Sequence, residues 1–179
     1  MDKEELEEIA ETPMGDSSIH HYFPNARIVT YNELNDIDSI EELLPKNKSY
    51  FFMLIEESPN KGHWVAVNRI NNKIEFFDSY GGEPDSQLKW IPMERRESLG
   101  QAEKRLTELF KKSGMKVQYN PVKYQEVAQE IQTCGRHCCL RIKTMLDGKD
   151  LDAYYKYMKS LKHSKGGSYD DIVSFFISN

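Results

Sequence analysis

The chain has 179 residues, which is long enough for one domain to bury a sizeable hydrophobic core. Apolar residues make up 39% and charged residues 30%, a composition that is ordinary for a soluble globular protein. The formal net charge of −5 is unevenly distributed, because residues 1–60 hold 14 acids against 4 bases and the remainder is basic. We interpret about residues 1–20 as an acidic N-terminal arm, either a solvated helix or a segment that covers or steers something toward the basic remainder.

Membrane and secretory segments are not expected in this sequence. No apolar run approaches the roughly 18 residues that a membrane span needs. The acidic start MDKEELEEIAETP lacks the basic and apolar regions of a signal peptide. We therefore expect a protein of the cytosol or nucleus without a membrane partner, in which cysteines stay as thiols.

The first half of the chain carries the pattern of a short helix followed by strands. Residues 2–10 are predicted to form a polar helix, and Ser39 is expected to cap a short turn that has Glu42 three residues later. Three stretches rich in β-branched and aromatic residues are predicted to be strands: residues 50–55, 63–70 and 73–78. The Asn71-Asn72 break makes the last two strands a hairpin, and their apolar residues on both faces indicate a sheet covered on both sides.

The second half is predicted to be mostly helical. An amphipathic pattern predicts a helix over residues 98–114 that ends at Gly114, and residues 115–120 are predicted to form a strand. Three further helices are predicted at residues 134–147, 150–162 and 168–177, the last capped by Ser168 or Asp170. No internal repeat or long linker divides the chain. The predicted fold class is therefore α+β, in one domain.

Two polar residues flank the predicted hairpin. His63 stands at the head of the second strand and Asp78 at the end of the third. Each has an ordinary interpretation, since a lone strand histidine is often structural and Asp78 begins the turn sequence DSYGG. In a hairpin, however, the start of one strand lies beside the end of the next. The two side chains should then meet at one edge of the sheet, where they would supply a base and the carboxylate that orients it.

All three cysteines of the chain, Cys134, Cys138 and Cys139, fall in the stretch QTCGRHCCLRI. Three interpretations compete for them: buried packing, a metal or redox site, and a nucleophile at a helix start. Cys134 begins a predicted helix, where unpaired backbone N–H groups and the helix dipole favour a thiolate. Cys138 and Cys139 are interpreted as small buried hydrophobic residues.

A metal site would use Cys134, His137 and Cys138 as ligands on one helical face. Zinc usually takes a fourth ligand, and structural zinc sites usually draw on separated ligand pairs. A redox motif would have the spacing CxxC, whereas the spacing here is CxxxCC. We therefore expect neither a metal ion nor a cofactor.

Taken in order, the stretches GHWVAV, FFDSYGG and TCGRHCC resemble the adenovirus-type maturation cysteine proteases (adenain). That family shares its superfamily with the proteases that act on SUMO and other ubiquitin-like proteins, and TCGRHC is most similar to members from virophages, large DNA viruses and virus-like transposons. The resemblance implies one cysteine protease domain over residues 1–179, with a core over about residues 50–147 and C-terminal helices over 150–177. It also implies a central mixed β-sheet flanked by helices, with the catalytic cysteine at a helix N-terminus.

The resemblance implies a role for individual residues. Cys134 would be the nucleophile, His63 the general base and acid, and Asp78 the carboxylate that orients His63. Trp64 would lie under the active-site edge and contact substrate. Gly135 is expected to let a substrate backbone approach closely, because it has no side chain.

The family also places a glutamine, which donates its amide to the oxyanion, six or seven residues before the cysteine. Those positions are Ala128 and Val127 in this chain. We assign the role to Gln125, because YNPVKYQ resembles the segment that leads to this glutamine in transposon-borne relatives. Gln129 is the alternative, whereas Gln132 stands too close to the cysteine to fold back around it.

The implied function is a cysteine endopeptidase that processes viral capsid or other virion precursor proteins, cleaving after small or Gly-containing motifs. Its implied location is the virion and the host-cell cytoplasm, in the virus factory. The alternatives are a protease that acts on ubiquitin-like modifiers and a non-catalytic binding module with the same fold. The stretch 141–165 holds seven Lys or Arg against three Asp, which indicates either a solvated helical face or a contact with DNA.

Overall fold

A computed structural model describes residues 1–179 and contains a central five-stranded sheet. Its strands lie side by side in chain order: β1 (Arg27–Thr30), β2 (Tyr50–Ser58), β3 (Lys61–Ile70), β4 (Lys73–Phe77) and β5 (Lys116–Tyr119). The outer pairs β1–β2 and β4–β5 are parallel, and the inner pairs are antiparallel. The predicted single-domain α+β fold with a central mixed sheet is therefore confirmed.

Seven α-helices flank this sheet: α1 (Lys3–Glu11), α2 (Asp16–Tyr22), α3 (Met93–Ser98), α4 (Arg105–Ser113), α5 (Cys134–Leu146), α6 (Leu151–Lys165) and α7 (Tyr169–Phe176). Short 3₁₀ helices span Tyr31–Asp36, Ile40–Glu42 and Ser86–Trp90. The predicted helix stop at Gly114 is confirmed, since this residue has φ +69. Ser168, and not Asp170, caps α7. None of the helices combines the length and apolar character needed to cross a membrane.

The sheet has a separate hydrophobic core on each face. Phe52 and Leu54 of β2 pack on one face with helices α5, α6 and α7, whereas Phe51 and Met53 pack on the other face with α4 and the 3₁₀ helices. Neighbouring strand residues point to opposite faces, so a strand covered on both sides must be apolar at almost every position. This is the physical reason for the continuous apolar runs of the central strands.

The predicted hairpin between β3 and β4 is confirmed. Ile70 pairs with Lys73, and Asn71 turns the chain with φ 54, a conformation that asparagine adopts more readily than most residues. The hairpin carries the start of β3 and the end of β4 to one edge of the sheet. That edge also receives the first turn of α5, which packs against β3.

The helix predicted over residues 98–114 is wrong in its first part, because α4 begins only at Arg105. The chain turns at Gly100, which has φ +71, and then presents the side chain of Gln101 to strand β2. That amide accepts from the backbone N–H of Glu56 and donates to its carbonyl oxygen, both at 2.8 Å. These bonds satisfy the backbone groups of Glu56 next to the point where the ladder between β2 and β3 shifts register.

The N-terminal residues pack on the body of the domain. Helix α1 contacts α7, and Ala10 and Met14 are buried while the glutamates of α1 are exposed. This arrangement agrees with the interpretation of α1 as a solvated acidic helix. Helix α2 and strand β1 were not predicted, because the strand is only four residues long and both elements lack a long apolar pattern.

Candidate active site

Cys134 is the first residue of α5 and is almost buried, with 8% of its surface exposed. The preceding residue, Thr133, does not cap the helix with its side chain, so no side chain occupies the N–H groups of the first turn. The backbone N–H of Trp64 in β3 points at the sulfur, with 3.4 Å between the nitrogen and Sγ. The sulfur therefore lies among N–H groups that stabilise negative charge.

His63 and Asp78 meet at the edge of the sheet, as predicted from the hairpin. The Nε2 atom of His63 lies 2.8 Å from Oδ1 of Asp78. Asp78 also accepts hydrogen bonds of 2.9 Å from the backbone N–H of Tyr80 and from the side-chain amide of Gln87. The ring of Tyr80 stacks on the imidazole, with 4.9 Å between the ring centroids. Both side chains are buried and their orientations are fixed by these contacts.

The electrostatics of the pair favour the imidazolium form of His63. Burial alone would lower the pKa of His63, but the charge and hydrogen bond of Asp78, together with the neighbouring Cys134, raise it to about 10. For Asp78 burial has the opposite effect and by itself would raise the pKa. The contact with His63 and the hydrogen bonds from Tyr80 and Gln87 outweigh it and hold this pKa below its ordinary value.

Gln125 is buried near the same edge. Its Oε1 accepts a 2.7 Å hydrogen bond from the Ser79 hydroxyl, which fixes the orientation of the amide group. Its Nε2 donates only a long bond of 3.4 Å, to the carbonyl of Ile131. Gln125, Gln129 and Gln132 all line the cavity that contains the Cys134 thiol, but only Gln125 is buried.

Trp64 is buried beside Cys134, and its indole N–H donates to the carbonyl oxygen of Met14 at 3.0 Å. Met14 also lies over Gly135, where an added Cβ would come within 3.0 Å of the Met14 Cβ and 3.2 Å of the indole. We expected the bare backbone of Gly135 to leave room for substrate. In this structure the N-terminal segment fills that space.

Cys138 and Cys139 are fully buried in the core, as predicted. Burial raises the pKa of Cys139 to about 12 and also raises the pKa of Cys138, so both stay as thiols at neutral pH. His137 contacts Asp170 at 2.9 Å and does not join the cysteines. No group of three or more His, Cys, Asp or Glu side chains is arranged to hold a metal ion.

Two cavities meet at Cys134. The larger, of about 720 Å³, lies between residues 11–16, strand β1 and the start of β3. The smaller, of about 260 Å³, lies on the side of His63 and Gln125. Cys134 and Gly62 line both cavities, so an extended peptide could pass over the sulfur from one to the other.

Several residues at this edge of the sheet were not identified as functional from the sequence. Tyr80 and Gln87 hold His63 and Asp78, Ser79 holds Gln125, and Met14 forms part of the larger cavity. The stretch DSYGG drew attention as a turn, but nothing in it indicated that Tyr80 stacks on the imidazole. Gln87 and Met14 come from segments without a recognisable motif.

The chain is thus a single-domain α+β protein that brings a thiol, an imidazole and a carboxylate to one edge of its sheet. No known protein-family profile matches it. It is 39% identical over 137 residues to the uncharacterized protein V9 of Sputnik virophage, an alignment that spans 76% of this chain and 77% of that protein. The chain belongs to the family of this virophage protein. Among solved structures it is similar to the ASFV pS273R protease, with a TM-score of 0.48 and 15% identity over 93% of this chain and 67% of that one.

Proposed function

We propose that the protein is a cysteine endopeptidase in which Cys134 is the nucleophile, His63 the general base and acid, and Asp78 the orienting carboxylate. The observation that carries this proposal is the 2.8 Å contact between His63 and Asp78, made beside the thiol at the start of α5. A thiol, a base and a third group that orients the base are the parts that nucleophilic catalysis requires.

In the proposed reaction the Cys134 thiolate attacks the carbonyl carbon of a peptide bond, and the protonated His63 then donates its proton to the leaving amine. Water hydrolyses the resulting thioester, with His63 accepting a proton from the water. The developing oxyanion accepts hydrogen bonds from the backbone N–H of Cys134 and the side-chain amide of Gln125. The proton transfer to the leaving amine needs His63 in its imidazolium form, and this is the form that Asp78 stabilises.

The substrates that we propose are capsid or other virion precursor proteins, cut after small or Gly-containing motifs. Trp64 and Met14 narrow the larger cavity next to the sulfur, which favours small residues near the scissile bond. The viral source is supported by the membership in the family of a Sputnik virophage protein, and the maturation role by the resemblance of the motifs to adenovirus-type proteases. Such an enzyme would act in the virion and the host-cell cytoplasm.

The test is incubation of the purified protein with precursor capsid protein encoded by the same genome, followed by mass mapping of the products. Specific cleavage by the wild type and none by Cys134→Ala is the expected result. If a ubiquitin-like protein with a C-terminal electrophile labels Cys134 while capsid precursors stay intact, the substrate class is wrong and the chemistry is right. Absence of any cleavage or labelling would contradict the protease itself.

A further inference from the structure

The side chain of Asp170, in the first turn of α7, is buried with only 2% of its surface exposed. Its Oδ1 accepts hydrogen bonds from the Thr133 hydroxyl at 2.6 Å and from Nε2 of His137 at 2.9 Å. Its Oδ2 accepts from the backbone N–H of Glu126 at 3.1 Å. A buried carboxylate is costly without such donors, so the three contacts hold it in one orientation.

The positions of two of these donors connect Asp170 to the candidate active site. Thr133 directly precedes Cys134, and Glu126 directly follows Gln125. One carboxylate therefore joins the two ends of the loop formed by residues 126–132. The amide of Gln125 and the backbone N–H of Cys134 stand just outside these ends.

The loop itself has few other anchors. Val127 is 74% exposed, and Glu126, Gln129 and Gln132 are exposed as well. The backbone bonds within the loop are short-range, and a bond from the Gln132 N–H to the Ala10 carbonyl holds its far end. The Gln125 amide adds the long bond of 3.4 Å to the Ile131 carbonyl, but Asp170 is the side chain that has a contact at each end of the loop.

His137 completes this arrangement. Its Nε2 faces the ionised carboxylate of Asp170, which can only accept, so this nitrogen carries the hydrogen of the bond, and the buried Nδ1 has no partner. Burial raises the pKa of Asp170, but the hydrogen bonds from His137, Thr133 and Glu126 outweigh it and bring this pKa below its ordinary value. The carboxylate therefore remains an acceptor for all three donors at neutral pH.

We propose that Asp170 is a positioning residue that sets the distance between the two oxyanion donors, the Gln125 amide and the Cys134 N–H. The inference rests on the proposed protease function. Asp170 touches neither substrate nor the thiol. Its effect is on the geometry of the oxyanion site, where a displacement of about 1 Å is enough to lower the rate on the order of a hundredfold.

The variant Asp170→Asn tests this, because it replaces a charged carboxylate that accepts all three hydrogen bonds with a neutral amide that has one acceptor oxygen, which weakens the hold on the ends of the loop. With a fluorogenic peptide amide that ends in Gly-Gly, we expect kcat to fall on the order of tenfold to a hundredfold. KM should change little, because the donors act on the transition state. The rate of Cys134 alkylation by iodoacetamide should stay at the wild-type value, since that reaction forms no oxyanion.

The matched control is Asp152→Asn, which makes the same chemical change at an exposed position of α6 and should leave kcat, KM and alkylation unchanged. A wild-type kcat in Asp170→Asn would overturn the proposal. An equal loss of turnover and alkylation would also overturn it, because it would indicate general damage to the fold.

Hydrogen–deuterium exchange tests the loop without any substrate. In Asp170→Asn the amides of residues 126–132 should exchange faster, while those of the sheet keep their wild-type rates. Thr133→Val, which removes the hydroxyl at constant shape, should have the same effect, and Thr133→Ser should restore the wild-type pattern. Unchanged exchange in both Asp170→Asn and Thr133→Val would mean that Asp170 does not hold the loop. A wild-type protein that cleaves no peptide would contradict the proposed function but would not affect the exchange result.

Discussion

The imidazole of His63 and the carboxylate of Asp78 lie 2.8 Å apart, although 15 residues separate them in the chain. One hairpin creates this contact, since β3 and β4 carry the two residues to the same edge of the sheet. The contact is buried, and Asp78 is held on both oxygens by further donors. A charge pair held in this way controls the protonation of His63 over a wide pH range.

The first prediction concerns the pH dependence of turnover. With its pKa raised to about 10, His63 stays protonated through neutral pH, so kcat/KM should fall only as the pH rises toward 10. Because Asp78 is a main cause of this shift, Asp78→Asn should move the alkaline limb of kcat/KM to lower pH by about one unit or more. A pH profile of both proteins measures the displacement. The exposed change Asp147→Asn is the control, and an alkaline limb that stays in place in Asp78→Asn contradicts the assignment.

The same shift links folding stability to pH. The folded pKa of His63 lies above the unfolded value of about 6.5, so its contribution to stability is fully present below that pH. It is lost progressively as the pH rises through the folded value of about 10. Urea unfolding between pH 6 and pH 10 should therefore show a smaller decline in His63→Gln than in the wild type.

The second prediction separates the three cysteines. Cys134→Ala and Cys134→Ser should abolish proteolysis and still fold, because only this sulfur lies at the start of α5 beside His63. Cys138→Ala and Cys139→Ala should keep substantial activity, since both thiols are buried in the core and stay protonated. Iodoacetamide should label Cys134 fastest at neutral pH, as mapped by mass spectrometry. Full activity in Cys134→Ala would overturn the proposed mechanism.

The elements that could be predicted from the sequence are those whose information is local. The hairpin follows from two apolar runs and the Asn71-Asn72 turn, and it was enough to predict the contact between His63 and Asp78. The start of α5 at Cys134 likewise follows from neighbouring residues.

The remaining contacts join distant segments that carry no shared pattern. Asp170 was considered only as a helix cap, whereas its carboxylate reaches Thr133, 37 residues earlier in the chain. Met14 covers Gly135 from 121 residues away in sequence, and the Gln101 side chain satisfies backbone groups of β2. Only tertiary packing determines such contacts, and for this reason the helix over residues 98–114 was predicted too long.

The third prediction concerns stability. Arg141 of α5 forms a bidentate pair with Glu75 of β4, with both contacts at 2.8 Å and both side chains buried. Glu75→Gln should lower the free energy of unfolding by about 3 kcal/mol, because it leaves a buried guanidinium without its counter-ion. Urea unfolding should show a lower midpoint at an unchanged slope. Asp152→Asn breaks an exposed ion pair with Lys156 and should leave the midpoint unchanged.

The fourth prediction tests the packing of the N-terminal segment on the candidate site. Gly135→Ala places a methyl group within 3.0 Å of the Met14 Cβ, which should lower the free energy of unfolding by about 1–3 kcal/mol. Met14→Gly removes the Cβ that this methyl group meets, so the double variant should be more stable than the sum of the single changes predicts. A coupling of about 1 kcal/mol in a double-mutant cycle by urea unfolding is the expected result. Strict additivity would mean that Met14 does not cover Gly135 in solution.

The last prediction concerns the glutamine that we propose as a hydrogen-bond donor to the oxyanion. The Gln125 amide is buried, and the Ser79 hydroxyl holds its oxygen at 2.7 Å, so that its N–H groups are left for other acceptors. Gln129 is exposed, and no side chain holds its amide. One donor of this kind contributes on the order of a hundredfold in rate, so Gln125→Ala should lower kcat by about that factor with little change in KM.

Two matched variants make this assignment sharp. Gln129→Ala should have nearly wild-type kcat. If kcat falls in Gln129→Ala and stays nearly normal in Gln125→Ala, the loop of residues 126–132 is aligned incorrectly with the adenovirus-type pattern. Ser79→Ala keeps the Gln125 amide but frees its orientation, so its kcat should fall between those of the wild type and Gln125→Ala. The Ser79 carbonyl also accepts from the N–H groups of Tyr124 and Gln125, and these backbone bonds survive the substitution. An unchanged kcat in both Gln125→Ala and Ser79→Ala would leave the Cys134 N–H as the proposed donor and remove Gln125 from the mechanism.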